Sequence, residues 1–378
     1  MLYACVDSAF SNRSATFIKL SLNCGSALAR TSSDSRSTGD LHSGVSLMRA
    51  LLIVLVLLFP IPAVLADSLC NAHVPVQRAE LGDVSLVYQS VGRSSDPALL
   101  LVMGLGGQLI HWPDDVVEAL CSQGFRVIRY DNRDVGLSRW NRPPASASLA
   151  LEVLRYRVGL PVAAPYTLTD MADDSLRLMD VLGVDGFHVL GVSMGGMIAQ
   201  HMAAMAPNRV QSMTLVMSSS GAAGLPAPSP ALVNLLARRS APTRAVALEQ
   251  QADLLAALGS PQIADDRAAL LQQAAMAYDR AFNPEGAKRQ IMAILAEPSR
   301  VELLDKLRLP TLVIHGTADP LLPVMHGVHL SAHLRGSQLR LIPGLAHRFQ
   351  EPFKAPLLAA VLPYLKAHRG SAARLARL

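Results

Sequence analysis

Charged and aromatic residues are scarce in this chain of 378 residues. They make up 17% and 4% of the sequence, whereas hydrophobic residues make up 51%. The net charge of +5 is spread thinly, and no run of basic residues is interleaved with aromatic ones. The sequence therefore lacks the features of a nucleic-acid-binding protein. It is instead typical of a globular protein with a large core, long enough for one domain with or without an insertion.

One uninterrupted apolar run lies near the start of the chain. Arg49 precedes this run, Pro60 and Pro62 come directly after it, and a small-residue cleavage site follows at 64–66. The segment 48–66 is therefore predicted to be a secretory signal peptide. An uncleaved membrane anchor is the alternative, although the run is shorter than the roughly 20 residues that a span needs.

The predicted signal peptide indicates where translation begins and where the protein is located. Residues 1–47 are serine-rich and aperiodic, and they precede a complete signal that starts with its own Met48. We expect translation to begin at Met48 and the protein to be exported, to the periplasm or beyond. Anchorage through residues 50–65 is the alternative localisation, and a membrane is expected as a partner only in that case. The sequence leaves the oligomeric state open.

Cysteine is also rare. Of four cysteines in the sequence, only Cys70 and Cys121 remain after the predicted cleavage. In an exported protein they could form a disulfide, or they could be two separate thiols with Cys121 buried in a helix. The sequence leaves both readings open.

Buried strands alternate with helices in the rest of the chain. This pattern predicts an α/β fold with a mostly parallel sheet and helices on both faces. Helices are predicted over 114–122 and from the N-cap Thr167 to Gly183. The strands are predicted at 99–102, 125–130, 187–192, 210–217, 311–314 and 339–342, with a hairpin over 80–92.

The alternation of strands and helices stops at residues 221–308, which are rich in alanine and leucine and contain no predicted strand. We interpret them as a helical cap inserted into a core made of residues 67–220 and 309–378. Residues 141–165, apolar and proline-containing, are candidates for the same cover.

A strand–turn–helix around Ser193 is the strongest chemical signal. Residues 191–195 read Gly-Val-Ser-Met-Gly, after an apolar strand and before a helix. Gly191 and Gly195 are expected because any Cβ there would collide with the neighbouring strand and helix. This geometry exposes a serine hydroxyl at the carboxyl end of a strand, so Ser193 is the candidate nucleophile.

A serine nucleophile needs a base, and the base needs an orienting acid. His347 follows the last predicted strand, and Asp319 follows the one before it. The chain order Ser-Asp-His is that of a nucleophile-elbow hydrolase. The competing acid position, after the strand ending near Met217, holds three serines at 218–220 and no carboxylate. Asp319 is therefore the predicted acid.

Two backbone N–H groups are expected to form the oxyanion hole. One belongs to Met194, at the start of the helix. The other should come from the glycine-rich turn at 103–107, from Leu105 or, as the second choice, Gly106. A phosphate-binding loop is rejected because no Lys-Ser or Lys-Thr follows this turn.

These motifs together resemble the α/β-hydrolase superfamily over about residues 80–365. The segments that carry the resemblance are 191–195, 315–319 (His-Gly-Thr-Ala-Asp) and 344–347 (Gly-Leu-Ala-His), with 131–138 similar to the loop after the fourth strand in many members. The sequence looks closest to the small esterases, methylesterases, enol-lactonases and cofactor-free haloperoxidases or perhydrolases. It departs from many members in having Met103-Gly104 where they have His-Gly at the oxyanion turn.

The resemblance implies a serine hydrolase that cleaves carboxylic esters through an acyl-enzyme, without a cofactor. The predicted signal peptide adds export to this expectation, and the aliphatic cap adds a small, apolar ester as the substrate. The enzymatic alternatives are C–C bond hydrolysis, lactone hydrolysis and perhydrolysis on the same triad. The alternative from another functional class is a non-catalytic exported binding protein with this fold. Haloalkane and epoxide chemistry is disfavoured, since it uses an aspartate where Ser193 stands.

Other histidines and Trp112 are weaker signals. His326, His329 and His333 share a helix face, which we expect to be solvated rather than metal-binding because no carboxylate or cysteine lies at ligand spacing. His188 and His201 are expected to be structural. Trp112 either lines the pocket or packs.

Overall fold

A nine-stranded sheet runs through the part of the chain that the computed structural model describes. The described residues are 69–369 without 142–147, 237, 239, 240 and 242. The predicted leader at 48–66 and the extension at 1–47 lie outside them.

The sheet is mostly parallel, as the sequence predicts. Its order is β1-β2-β4-β3-β6-β7-β8-β9, with β5 paired to β2. Only the pairings of β2 with β1, β4 and β5 are antiparallel. The strands are β1 (Gln77–Glu80), β2 (Val84–Val91), β3 (Ala98–Val102), β4 (Arg126–Tyr130), β5 (Arg139–Trp140), β6 (Phe187–Val192), β7 (Val210–Val216), β8 (Thr311–Gly316) and β9 (Gln338–Ile342).

Eleven α-helices and one short 3-10 helix (Leu109–His111) are present among the described residues. They are α1 (Asp114–Ser122), α2 (Leu149–Arg157), α3 (Leu168–Val181), α4 (Met194–Met205), α5 (Pro230–Leu236), α6 (Arg244–Ala257), α7 (Arg267–Arg280), α8 (Pro284–Ala296), α9 (Val301–Lys306), α10 (Met325–His333) and α11 (Glu351–His368). None of these helices has the length and hydropathy that crossing a bilayer requires.

Both faces of the sheet are buried, since the central strands β3, β6, β7 and β8 are buried at every position. In β3, Leu99 and Leu101 pack into the cluster that contains α1 and α11, while Leu100 and Val102 pack into the cluster of α3 and α4. Side chains of a strand alternate between faces, so a continuous apolar run is suited to a sheet covered by helices on both sides.

Two predicted helices are confirmed with their ends. Helix α1 begins after Pro113 and ends before Gly124, as predicted. Helix α3 begins after Thr167, whose hydroxyl accepts the N–H of Asp170 while the Asp170 carboxylate accepts the N–H of Thr167. This reciprocal cap satisfies two backbone donors that the first turn of a helix leaves unpaired.

Between β7 and β8 the described residues form helices α5 to α9 and no strand. We refer to residues 221–308 as the insertion. Helix α2, from the segment 141–165 that precedes α3, packs against α8 of the insertion. Helix α8 is therefore covered by α2 on one side.

Cys70 and Cys121 form a disulfide that joins the residues before β1 to helix α1. Of the two readings that the sequence leaves open, the structure therefore has the bridge.

Candidate active site

Ser193 occupies a strained turn between β6 and α4. Its backbone has φ 55° and ψ −120°, a conformation that non-glycine residues rarely adopt. A Cβ on Gly191 would lie 2.3 Å from the Gly195 carbonyl oxygen, and one on Gly195 would lie 2.0 Å from that of Val102. The steric reason for glycine at both positions is thus confirmed. Ser193 itself is 9% exposed.

The side chains of Ser193, His347 and Asp319 form one hydrogen-bonded chain. His347 Nε2 lies 3.0 Å from Ser193 Oγ, and His347 Nδ1 lies 2.7 Å from Asp319 Oδ2. The three residues come after β6, β9 and β8, and the carboxyl ends of neighbouring parallel strands meet at one edge of the sheet. The structure therefore brings together three side chains that are 154 and 28 positions apart along the chain.

Asp319 is fixed by its own turn as well as by His347. Its Oδ1 accepts the backbone N–H groups of Leu321 (2.9 Å) and Leu322 (2.8 Å), which leaves Oδ2 to face the imidazole. These two backbone bonds fix the orientation of the carboxylate. His315 also lies near Oδ2, with its Nε2 3.6 Å from that oxygen and 2.7 Å from the Leu322 carbonyl.

His315 is held neutral beside this carboxylate. Burial lowers its pKa, although its bond to the Leu322 carbonyl and the charge of Asp319 act in the opposite direction. Because Nε2 donates to that carbonyl, Nδ1 carries no proton in the neutral ring. His315 therefore adds no positive charge that would compete with His347 for Asp319.

The serines at the competing acid position support the site structurally. Ser218 Oγ donates to the Ser193 carbonyl at 2.8 Å, so it holds the backbone of the strained turn. Ser219 and Ser220 instead contact the histidines of α10: Ser219 Oγ lies 2.8 Å from His326 Nδ1, and Ser220 Oγ lies 3.0 Å from His329 Nδ1.

These contacts overturn one expectation for the α10 histidines. The predicted solvation is wrong for His326, which is only 7% exposed and whose Nε2 donates to the Pro226 carbonyl at 2.9 Å, whereas His329 and His333 are half-buried. The chain leaving β7 covers this face. Within the described residues, no group of three or more His, Cys, Asp or Glu side chains is arranged to hold a metal ion.

The other singled-out residues have structural surroundings. His188 is buried, bonds Ser212 Oγ at 2.8 Å, and has its pKa lowered by burial to about 4. His201 Nε2 lies 2.6 Å from Glu297 Oε1. Trp112 is buried and packs against Phe349, which supports packing rather than pocket lining.

The turn after β3 lies directly against the serine. A Cβ on Gly104 would lie 3.1 Å from Ser193 Cβ, so the backbone approaches the hydroxyl closely at this point. The N–H of Gly106 donates to Gln290 Oε1 at 2.8 Å. Neither Leu105 nor Met194 donates its N–H to a protein acceptor within the described residues. The second choice for the oxyanion donor, Gly106, is thus already occupied, whereas both first choices are available.

Gln290 of α8 links this turn to the loop after β4. It is fully buried, and its Nε2 donates to the Arg133 carbonyl at 2.9 Å while Oε1 holds Gly106. Two ion pairs lie beside it, Arg289 with Asp134 (2.6 Å) and Arg280 with Asp131 (2.8 Å). Sequence reasoning missed Gln290, because a glutamine in the middle of a helix carries no local signal.

The insertion also contacts the loop that carries His347. The His347 N–H donates to the Leu258 carbonyl at 3.0 Å, at the end of α6. Ser260 N donates to Gln350 Oε1, and Asp265 pairs with Arg348. The insertion is therefore attached to both sides of the site, at the turn after β3 and at the loop after β9.

Comparison with known proteins identifies this architecture. The family model for the alpha/beta hydrolase fold matches residues 97–352. The chain belongs to that family. The matched range contains the serine, aspartate and histidine of the hydrogen-bonded chain and the whole insertion.

Relatives within the alpha/beta hydrolase family include enzymes of ester chemistry. Rhodomycin D methylesterase DauP from a Streptomyces species is 26% identical over 312 residues, covering 78% of this chain and 99% of its own. A hydrolase from Pseudomonas aeruginosa superimposes with a TM-score of 0.58 at 25% identity, covering 78% of this chain and 99% of its own. The enol-lactonase from Burkholderia xenovorans, at 21% identity and a TM-score of 0.60 over 77% of this chain and all of its own, shares the fold.

Proposed function

We propose that this alpha/beta hydrolase cleaves small carboxylic esters through an acyl-enzyme. The observation that carries the proposal is the hydrogen-bonded chain from Ser193 Oγ through His347 to Asp319 Oδ2. The similarity of the protein's sequence to a methylesterase supports an ester as the substrate.

Each group then has one role. His347 Nε2 takes the Ser193 proton as Oγ attacks the ester carbonyl, and later delivers it to the departing alkoxide. Asp319 holds the imidazole with Nδ1–H towards itself and stabilises the imidazolium. The N–H groups of Leu105 and Met194 bind the oxyanion, and water activated by His347 then cleaves the acyl-enzyme. The partial positive charge at the N-terminus of α4, where Met194 lies, also stabilises the negative charge of the oxyanion.

The insertion is proposed to roof the acyl pocket. It contacts the turn after β3 through Gln290 and the His347 loop through Leu258. Its residues are mainly aliphatic, so the pocket is expected to select substrates by apolar volume, at roughly 0.8 kcal/mol per buried CH₂. Leu235 and Ile291 of the insertion are both half-buried and are candidates for its wall.

Export is part of the proposal. The Cys70–Cys121 disulfide supports it, because structural disulfides persist in oxidising compartments and are rare in the cytosol.

A series of p-nitrophenyl esters of increasing acyl length tests the function. We expect kcat/KM to rise about two- to fourfold per methylene over the short chains and then to level off. Ser193→Ala should abolish turnover, whereas Ser122→Ala, at an exposed position on α1, should leave it unchanged. Replacing Leu235 or Ile291 should shift the preferred length only.

Two results would redirect the proposal. A wild-type protein that turns over no ester but opens a lactone or cleaves a C–C bond in a diketone would keep the triad and replace the substrate. If the protein turns over no ester, lactone or diketone, and a fluorophosphonate probe does not label Ser193, the result would favour a binding protein on this scaffold.

A further inference from the structure

Helix α2 and the residues after it expose an unusual concentration of large apolar side chains. Leu151, Leu154, Tyr156, Val158 and Leu160 are each 52% to 61% exposed. They are five of the fifteen exposed large apolar side chains in the described part of the chain, yet they occupy only ten positions. Scattered exposed leucines are ordinary, but a contiguous apolar patch on a soluble surface marks an interaction site.

The charges of this segment are sorted between its two sides. Glu152 is buried, and its Oε2 accepts the Ala163 N–H at 2.7 Å. The charged side chains of α2 that reach the surface are the half-buried Arg155, which lies 3.8 Å from Glu152 Oε1, and the exposed Arg157. The face that meets solvent is therefore apolar and positively charged.

The spacing of these side chains is that of an interfacial helix. Leu151 and Leu154 lie one turn apart on α2, and Val158 follows four positions later as the C-cap residue, so the three continue one line along the helix and its end. Arg155 and Arg157 flank that stripe on either side. An apolar stripe bordered by arginines is the pattern of a helix that lies in the plane of a membrane surface, with its arginines at the headgroups.

We propose that this face of α2 binds an anionic lipid surface. Charge complementarity selects this occupant, because the charged side chains of α2 that reach the surface, the half-buried Arg155 and the exposed Arg157, are both positive, and anionic headgroups attract arginines near a membrane surface. The patch is on the same side of the fold as the insertion, since α2 packs against α8. The proposal does not depend on the reaction proposed for Ser193.

Sedimentation with vesicles tests the surface directly. Binding of the purified protein is measured on phosphatidylcholine vesicles with and without phosphatidylglycerol. Two double variants probe the two parts of the face: Leu151→Gln with Leu154→Gln, and Arg155→Gln with Arg157→Gln. All variants share the same N-terminal residues, so any lipid affinity of residues 50–65 cancels in the comparison. Val181→Gln is the matched control, since Val181 is 56% exposed on α3.

We expect the wild type to bind the anionic vesicles and to be released by salt. The leucine variant should bind at least about tenfold more weakly on both compositions. The arginine variant should lose about 30-fold on anionic vesicles and nothing on neutral ones. Val181→Gln should match the wild type, and circular dichroism should show all variants folded.

The proposal is overturned if the wild type binds neither composition, or if all variants bind alike. It is also overturned if the wild type is a dimer in solution that the leucine variant converts to monomers, because a second copy of the chain would then be the occupant. Hydrolysis of a soluble ester without vesicles is measured in parallel. Loss of vesicle binding with intact hydrolysis separates failure of this inference from failure of the proposed function.

Discussion

Gln290→Met should slow catalysis although Gln290 lies outside the hydrogen-bonded chain of the site. Gln290 accepts from the Gly106 N–H at 2.8 Å and donates to the Arg133 carbonyl at 2.9 Å, and it is fully buried. Methionine has a similar volume and flexibility but can make neither bond. The substitution therefore removes two hydrogen bonds without creating a cavity.

Two effects are expected, one on stability and one on rate. Leaving a buried backbone group unpaired costs about 1–3 kcal/mol, so the loss for the half-buried Gly106 N–H and the buried Arg133 carbonyl together is at most about 6 kcal/mol. The turn that carries Leu105 also loses its attachment to α8. Complete loss of one oxyanion donor costs about 10²–10³ in kcat. A donor that is only displaced should cost about 10- to 100-fold, with KM changed little because the bond forms in the transition state.

Steady-state kinetics on a short p-nitrophenyl ester and urea unfolding measure the two effects separately. Gln251→Met is the matched control, since Gln251 lies exposed on α6 of the same insertion. It should change neither quantity. If Gln290→Met keeps its kcat, or if KM alone rises, the turn after β3 is positioned without Gln290 and the reasoning is wrong.

Three further predictions address the acid, the pH dependence of stability and the disulfide. Asp319→Asn should fold normally but reduce kcat by up to about 10⁴-fold, because the amide favours the wrong imidazole tautomer of His347; unchanged turnover would mean that another carboxylate orients the ring. Burial lowers the pKa of His188 to about 4 in the folded protein, whereas an unperturbed histidine has a pKa of about 6.5. Below about pH 6.5 the unfolded chain therefore takes up a proton that the folded protein does not. Stability should therefore be complete above that pH and fall by about 2 kcal/mol between about pH 7.5 and about pH 5, and urea unfolding of His188→Asn should lack this part of the slope. Replacing Cys70 and Cys121 by serine opens a loop with a sequence separation of 51 and should lower the free energy of unfolding by roughly 4 kcal/mol; no loss under oxidising conditions would contradict the bridge.

The parts of the site that depend on local backbone geometry could be predicted from the sequence. A serine at φ 55° needs small neighbours, and Gly191 and Gly195 stand where a Cβ would clash. Asp319 and His347 come directly after buried strands, and the carboxyl ends of neighbouring parallel strands lie at one edge of the sheet. Pattern and chain order were therefore sufficient to choose residues that the structure brings within hydrogen-bonding distance.

The parts that depend on long-range contacts could not be predicted. Gln290 meets Gly106 across 184 positions, and nothing in the local sequence of α8 distinguishes it from the other polar residues of that helix. The face of α10 was misjudged for a related reason. Helical periodicity shows that His326 and His329 share a face, but not that the chain leaving β7 covers it. Which surfaces meet is decided by tertiary packing, for which neither segment carries a local signal.

Labelling with a fluorophosphonate probe tests the central claim most directly. The probe should attach to Ser193 alone, as located by peptide mass spectrometry, and pretreatment should abolish ester turnover in proportion to labelling. Ser193→Ala should be neither labelled nor active, and His347→Ala should be labelled far more slowly because the proton acceptor is missing. Ester hydrolysis that persists in Ser193→Ala, or label found on another serine, would show that the nucleophile lies elsewhere.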